Sequence, residues 1–213
     1  GGYFTGTTYD GQKVFNMLKG KKQGESVAIK EGDERIWEIT KQYDAGRFEP
    51  DSSSLGLEIA VYQESINKTF SEYLVNFDYL DRLMENYGFS TLTREEARAM
   101  GLPNGSGSFK EMFGEMRNEM ERNPRARNEY GTAANMTTGE QTVSFLNRFF
   151  VYKKVNDVDA KQVEASMLGS RRVEEETEET EAEAAKEAAK EVIKKNKKSG
   201  KTKKLKKNLV LKE

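Results

Sequence analysis

The stretch that decides the fold is residues 2–11, GYFTGTTYDG, where a strand pattern, a helix cap and a glycine follow one another. Residues 2–8 mix aromatic and β-branched side chains after an initial glycine, which is typical of a buried strand. Asp10 can cap a short helix over residues 11–19, which Gly20 would end. The stretch therefore predicts a strand, a turn and a helix in immediate succession.

Three more strands are predicted in the next part of the chain. Residues 26–30 and 35–40 have strand composition, and the polar turn residues 31–34 between them predict an antiparallel hairpin. Residues 57–61 alternate apolar and other side chains, as on a half-buried strand, and are expected to add a member to the sheet.

The rest of the globular part combines a helix, an insertion and a closing strand. Apolar spacing predicts a helix that begins near Asp78 and ends at Gly88. Residues 91–138 have weak periodicity and a flexible Pro/Gly/Ser segment, so we expect a partly ordered insertion. The last strong strand pattern is VSFLNRFFVYK at 143–153. The folded unit is therefore predicted to span residues 1–155.

Composition excludes several kinds of chemistry. The chain has 213 residues, 35 basic and 36 acidic, and a net charge of -1, which argues against a wholly basic nucleic-acid binder. It has no cysteine and no histidine, so disulfides, thiolate nucleophiles, sulfur-based zinc sites and a histidine base are absent. With no long apolar run and no signal-peptide pattern, we expect an intracellular, soluble protein.

Residues 156–213 form a low-complexity charged tail. An acidic segment and an alanine-rich segment precede residues 194–207, which contain nine lysines. Such composition buries too little apolar area to offset chain entropy, so the tail is predicted to be disordered or only locally helical. The lysines are either a solvated tail or a contact for RNA phosphates, whose affinity would fall steeply with salt.

Three segments together resemble the mRNA cap guanine-N7 methyltransferases, most closely those within capping enzymes of large cytoplasmic DNA viruses. They are GGYFTGTTYDG at 1–11, YQESINKTFSEYLVNFDYLDRLMENYGF at 62–89 and GEQTVSFLNRFFVYKK at 139–154. The resemblance implies an α/β fold, the second half of a class I (Rossmann-like) methyltransferase sheet with antiparallel final strands. The first segment is similar to the fifth strand of that sheet, the second to the cap-contacting segment and its helix, and the third to the final strand.

The resemblance also implies an activity and its partners. It implies methyl transfer from S-adenosylmethionine to the cap guanine, without a metal. The family's glycine-rich donor loop is expected upstream of Gly1, so the fragment alone is expected to be inactive. The implied partners are the capped 5′ end of mRNA and upstream capping-enzyme domains or a partner chain, with no membrane, in a cytoplasmic viral factory or in the virion.

Two residues are candidates for cap binding. Guanine presents two neighbouring donors, the N1 hydrogen and the exocyclic amine, and one carboxylate can accept both. Glu72 matches the family's cap-contacting glutamate, although it could also be an exposed acid near a helix start. Asn147 lies where the family often has a tyrosine, and it could equally be a polar residue on a solvent face. Tyr73 would point away from Glu72 and is expected in the core.

Other interpretations stay open at this stage. The aromatic residues of the last strand pattern favour sheet core over a base-stacking platform; they are Phe145, Phe149, Phe150 and Tyr152. The alternative function is a noncatalytic RNA- or virion-interacting protein built on a truncated methyltransferase lobe. A further alternative is that a separate N-terminal chain completes the fold.

Overall fold

The computed structural model of the protein describes residues 1–167. The chain divides into two compact units, Gly1–Val158 and Asp159–Glu213, and of the second unit residues 160–167 are helical. The lysine-rich segment 194–207 lies outside the described residues. Among residues 1–167, no helix combines the length and the apolar character needed to cross a membrane.

The first unit is a mixed α/β structure with two antiparallel sheets. Its strands and helices, in chain order, are β1 (Tyr3–Tyr9), α1 (Gly11–Met17), β2 (Ser26–Glu31), β3 (Glu34–Lys41), β4 (Glu58–Gln63), β5 (Lys68–Tyr73), α2 (Phe77–Asn86), β6 (Phe89–Thr91), α3 (Arg94–Ala99), β7 (Ser106–Ser108), α4 (Phe109–Arg122), α5 (Ala126–Tyr130), α6 (Thr138–Ser144) and β8 (Asn147–Lys154).

The first sheet consists of β1, β8 and β6 in that order, and β7 also pairs with β8. Strand β8 is antiparallel to both neighbours, so β1 and β6 run in the same direction. Successive side chains of β8 point to opposite faces. Phe150 and Tyr152 pack with Phe77 of α2, whereas Val151 packs with Leu92 and Ala97. This sheet is therefore apolar on both faces.

The second sheet has the order β2–β3–β4–β5, and every pair in it is antiparallel. The predicted hairpin is confirmed as β2 and β3. The strand predicted at 57–61 is β4, and it joins this hairpin rather than β1. One face of the sheet packs against α1, and this core includes Val14, Phe15, Leu18, Trp37, Ile39, Ile59 and Val61.

The turn from β1 into α1 connects the two sheets. Asp10 caps α1 as predicted, because its carboxylate accepts a hydrogen bond of 3.3 Å from the backbone N–H of Lys13. Gly11 then donates its backbone N–H to the carbonyl oxygen of Val75, just after β5. A side chain at position 11 would place its Cβ 2.3 Å from that oxygen, so glycine is required for this close approach.

The last strand differs from its prediction, one strand was not predicted, and the segment 91–138 is more structured than expected. The last strand begins at Asn147 rather than at 143, because Thr137 and Glu140 form a capping box that starts α6 and places residues 143 and 144 in a helix. Strand β5 was not predicted as a separate element. The helix predicted to begin near Asp78 is confirmed as α2, which begins at Phe77. Residues 91–138 contain α3, β7, α4 and α5.

Candidate functional site

Glu72 lies on β5, which is an edge strand because it pairs with β4 alone among the described strands. It is directly opposite Ile59 of β4, so the two side chains share a face. Ile59 is completely buried, which identifies this face as the core side of the second sheet. Glu72 is therefore a carboxylate on the core side of a sheet, at its free edge.

The Glu72 carboxylate has no bonding partner within residues 1–167: no hydrogen bond or ion pair involves it. The residue is half-buried, and burial raises the pKa of its carboxyl group. Lys41 shares the face, but its Nζ donates to the carbonyl oxygen of Lys21 at 3.1 Å and lies 4.8 Å from the ring centre of Tyr43. The Glu72 oxygens are not among the fully buried side-chain atoms without a partner, so they can be reached by water or by a ligand that donates hydrogen bonds.

Tyr9, the last residue of β1, is buried in the core of the second sheet. Its hydroxyl accepts a hydrogen bond of 3.0 Å from Trp37 Nε1. Burial is the largest cause that raises the pKa of Tyr9, and the hydrogen bond from Trp37 opposes it.

Asn147 is the first residue of β8 and is paired with Tyr9 in the first sheet. Its amide nitrogen donates to the carbonyl oxygens of Val143 and Ser144, each at 3.2 Å, and so satisfies the end of α6. Its side-chain oxygen accepts no hydrogen bond within residues 1–167. The structure therefore pairs Asn147 with Tyr9 and gives the Asn147 amide a local structural role.

The expectation that Tyr73 lies in the core is wrong. Tyr73 is 59% exposed, because it is paired with Glu58 on the face of the second sheet that does not cover the core. The alternation was predicted correctly, since Tyr73 and Glu72 do point in opposite directions. The error was in the choice of the buried face.

Phe70 is a site residue that the sequence interpretation missed. It is two residues before Glu72 on the same strand, so the two side chains share a face, about 7 Å apart along the strand. Phe70 is 41% exposed although it is on the core side of the sheet. The period-two alternation of residues 68–73 could have indicated it. The edge of β5 thus presents an exposed ring beside a carboxylate with no partner.

The aromatic residues of the last strand are core, as predicted for Phe149, Phe150 and Tyr152, all of which are buried. Phe145 differs because it caps the end of α6 and contacts the ring of Phe113 at 5.4 Å. None of these four residues therefore provides the exposed ring beside Glu72, which is that of Phe70.

The first unit also has a cleft of about 1360 Å³, and Glu72 is not among the residues that line it. The cleft lies against the face of the first sheet that carries Phe149 and Val151, beside α4. Its charged groups are of both signs, including Arg94 and Arg98 of α3 and glutamates of α4. The size of the cleft therefore does not identify a ligand there. The unpaired carboxylate on β5, in contrast, would bind a ligand that carries hydrogen-bond donors.

Residues 1–167 contain no group of three or more His, Cys, Asp or Glu side chains that could hold a metal ion.

Comparison of the sequence with protein-family models and with curated proteins finds no match. The function is therefore inferred from the geometry around Glu72 and from the three segments at 1–11, 62–89 and 139–154.

Proposed function

We propose that this chain is the cap-binding part of an mRNA cap guanine-N7 methyltransferase domain. In this proposal Glu72 accepts hydrogen bonds from guanine and Phe70 provides a surface on which the base stacks. The observation that carries the proposal is the half-buried Glu72 carboxylate with no partner among the described residues. A ligand with two adjacent donors would satisfy it, and guanine is the base whose Watson–Crick edge has them.

The recognition chemistry follows from the two side chains. The N1 hydrogen and the exocyclic amine of guanine can donate in parallel to the two oxygens of Glu72, and hydrogen bonds to a charged group contribute about 1.5 to 3 kcal/mol each. Stacking of the base on the ring of Phe70 would contribute about 1–3 kcal/mol. Adenine lacks both donors and would leave the carboxylate unsatisfied, so the pair would favour guanine.

The same carboxylate would favour methylation. Methylation at N7 leaves the guanine ring cationic, so the charge of Glu72 interacts more strongly with the developing product than with the neutral substrate. The transfer needs no nucleophile or base from the protein, consistent with a chain that has neither cysteine nor histidine. Orientation of aligned reactants contributes about 7–11 kcal/mol. S-adenosylmethionine would supply the methyl group when bound by sequence outside this chain.

The topology supports the proposal at a second level. The final strand β8 lies antiparallel beside β1, which is the arrangement that the resemblance implies for the end of a class I sheet. The first sheet would then be the second half of a Rossmann-like methyltransferase sheet. The partners in this proposal are the capped 5′ end of viral mRNA and upstream capping-enzyme domains.

The test is a titration of the purified chain with guanosine-, inosine- and adenosine-capped dinucleotides at neutral pH by calorimetry. We expect affinity in the order guanosine, inosine, adenosine, because inosine lacks the exocyclic amine and adenosine lacks both donors. Glu72→Gln should weaken the guanosine cap about tenfold or more, which corresponds to about 1.4 kcal/mol.

Glu58→Gln is the matched control. Glu58 is on the neighbouring strand β4 and paired with Tyr73, on the opposite face of the same sheet, so its loss should leave cap affinity unchanged. Equal affinity of Glu72→Gln and the unaltered chain for the guanosine cap would overturn the proposal. Equal binding of capped and uncapped RNA would favour the noncatalytic RNA-binding alternative instead.

A further inference from the structure

We infer that the loop between α1 and β2 binds phosphates of the capped transcript through the ammonium groups of Lys19, Lys21 and Lys22. Residues 19–25, KGKKQGE, are called the lysine loop. The inference rests on the proposed function and deepens it, because it assigns a binding surface to the RNA that follows the cap. None of the residues in the lysine loop belongs to the cap site on β5.

The three ammonium groups of the lysine loop have no bonding partner. Among residues 1–167, none of them takes part in a hydrogen bond or an ion pair. In contrast, Lys13 and Lys154 each donate to a backbone carbonyl oxygen, at 3.0 and 2.6 Å. The carboxylate of Glu25 accepts from the backbone N–H of Lys22 at 2.8 Å. The lysine loop is therefore a cluster of cations that is open to an anionic ligand.

The backbone of the lysine loop is anchored to the end of β3. The N–H of Gly24 donates to the carbonyl oxygen of Lys41 at 2.7 Å, and the N–H of Lys41 donates to the carbonyl oxygen of Glu25 at 3.0 Å. Lys41 is buried, and its Nζ donates to the carbonyl oxygen of Lys21 at 3.1 Å. A loop that is fixed in advance loses less entropy on binding. The ammonium of Lys41 also adds a positive charge next to the loop.

The lysine loop lies at the same end of the second sheet as Glu72. Glu72 is directly opposite Ile59, and Ile59 is directly opposite Lys41. Lys41 is in turn bonded to residues 24 and 25. Neighbouring strands are about 4.8 Å apart, so three spacings place these loop residues about 14 Å from Glu72. A few nucleotides of single-stranded RNA can span this separation.

Helix α1 leads from the end of β5 to the lysine loop. Its first residue, Gly11, donates its N–H to the carbonyl oxygen of Val75, just after β5. Gln12 and Asn16 are exposed and lie four residues apart, so they share one face of the helix. The N–H of Lys19 donates to the carbonyl oxygen of Asn16 at 3.2 Å. This face is polar and uncharged, so it does not repel phosphates and gives RNA a path to the loop.

RNA is the partner that fits a cluster of unpaired lysines beside a proposed cap site. Cations that contact phosphates position a nucleic acid without reading its bases, so the loop would hold transcripts of any sequence. Each phosphate contact on a single strand adds about 0.7 to the slope of log affinity against log salt concentration. Three lysines should therefore contribute about 2 to that slope.

The experiment measures the binding of a capped oligonucleotide of about ten nucleotides by fluorescence anisotropy at several salt concentrations. Lys19→Gln, Lys21→Gln and Lys22→Gln are combined in one variant of the full chain, so the charged tail is the same in every comparison. This variant should bind the oligonucleotide about tenfold more weakly at low salt, with a slope smaller by about 2. Its affinity for guanosine, which has no phosphate, should be unchanged.

Helix α4 provides a matched control. Lys110, Arg117 and Arg122 are exposed and have no bonding partner among residues 1–167. Their combined change to glutamine removes the same charge from a helix beside the first sheet, and it should alter neither affinity nor slope. Equal losses in the two variants would overturn the inference, because net charge would then explain the effect. Arginine at the three loop positions should preserve binding, since it keeps the charge.

The outcomes separate the inference from the proposed function. If the loop variant with glutamines binds the capped oligonucleotide as the unaltered chain does, the inference alone is wrong. Equal binding of guanosine- and adenosine-capped RNA by the unaltered chain would overturn the proposed function itself. Loss of affinity for poly-glutamate without loss of affinity for RNA would identify an acidic protein surface as the partner and would contradict the inference.

Discussion

The two sheets of the first unit differ in whether their acidic side chains have bonding partners. In the first sheet and its turns, Lys153 Nζ lies 2.6 Å from Glu96, and the Tyr152 hydroxyl donates to Asp81 at 2.5 Å. On the core face of the second sheet, Glu72 has no such partner among the described residues. These two acidic groups beside the first sheet are paired, whereas Glu72 of the second sheet leaves a carboxylate open at the sheet edge.

This difference separates stability from binding. A paired group contributes to the folded state, whereas a half-buried carboxylate without a protein partner loses part of its hydration on folding and is open to a ligand that donates hydrogen bonds. Phe150 and Phe70 show the same contrast for aromatic rings. Phe150 is buried among Phe4, Phe77 and Tyr152, while Phe70 is exposed beside Glu72.

The largest expected effect is a loss of stability caused by a substitution in the first sheet. Phe150→Ala should lower the free energy of unfolding by about 3–5 kcal/mol, because it removes a buried ring and leaves a cavity. Chemical denaturation measures this loss. The structural assignment of Phe150 as core would be contradicted by a loss below about 1 kcal/mol.

Phe70→Ala is the counterpart in the second sheet and should act on binding. Its effect on the free energy of unfolding should be smaller than that of Phe150→Ala, since 41% of the Phe70 side chain is already exposed to solvent. Affinity for the guanosine cap should fall about tenfold through the loss of stacking. The contrast between the sheets would disappear if the variant unfolded easily but bound the cap normally.

The smallest expected effect is on the pH dependence of stability, to which two carboxylates contribute with opposite signs. Burial raises the pKa of Glu72 above 4.5, so its contribution to stability is complete below that pH and is lost as the pH rises through the raised pKa. The hydrogen bond from Lys153, followed by those from Thr93, lowers the pKa of Glu96 to about 2. Its contribution is therefore present above 4.5 and lost as the pH falls toward about 2.

The two glutamine variants should consequently have opposite signs at neutral pH. Glu72→Gln should melt slightly above the unaltered chain, and Glu96→Gln slightly below it. Each difference should vanish in acid, for Glu72 below pH 4.5 and for Glu96 near pH 2. Melting temperatures across the acid range would test both signs, and equal signs would contradict the comparison.

Local signals predicted much of the second sheet and its neighbours. The hairpin β2–β3, strand β4, the Asp10 cap and helix α2 all follow from short-range patterns of turns, alternation and capping residues. Helix α6 did not, because the apolar residues 143–153 look like one strand although the capping box at Thr137 and Glu140 starts a helix there. The division into two sheets depends on pairing between distant segments, such as Tyr9 with Asn147.

The candidate site shows where the information lies. The sequence alone determined that Glu72 and Tyr73 point in opposite directions, because side chains alternate along any extended strand. Only the tertiary structure decided that Glu72 is on the covered face of the second sheet and that Tyr73 is on the exposed one. The reason is physical: alternation is a property of a single strand, whereas burial depends on which residues from distant parts of the chain pack against each of its faces.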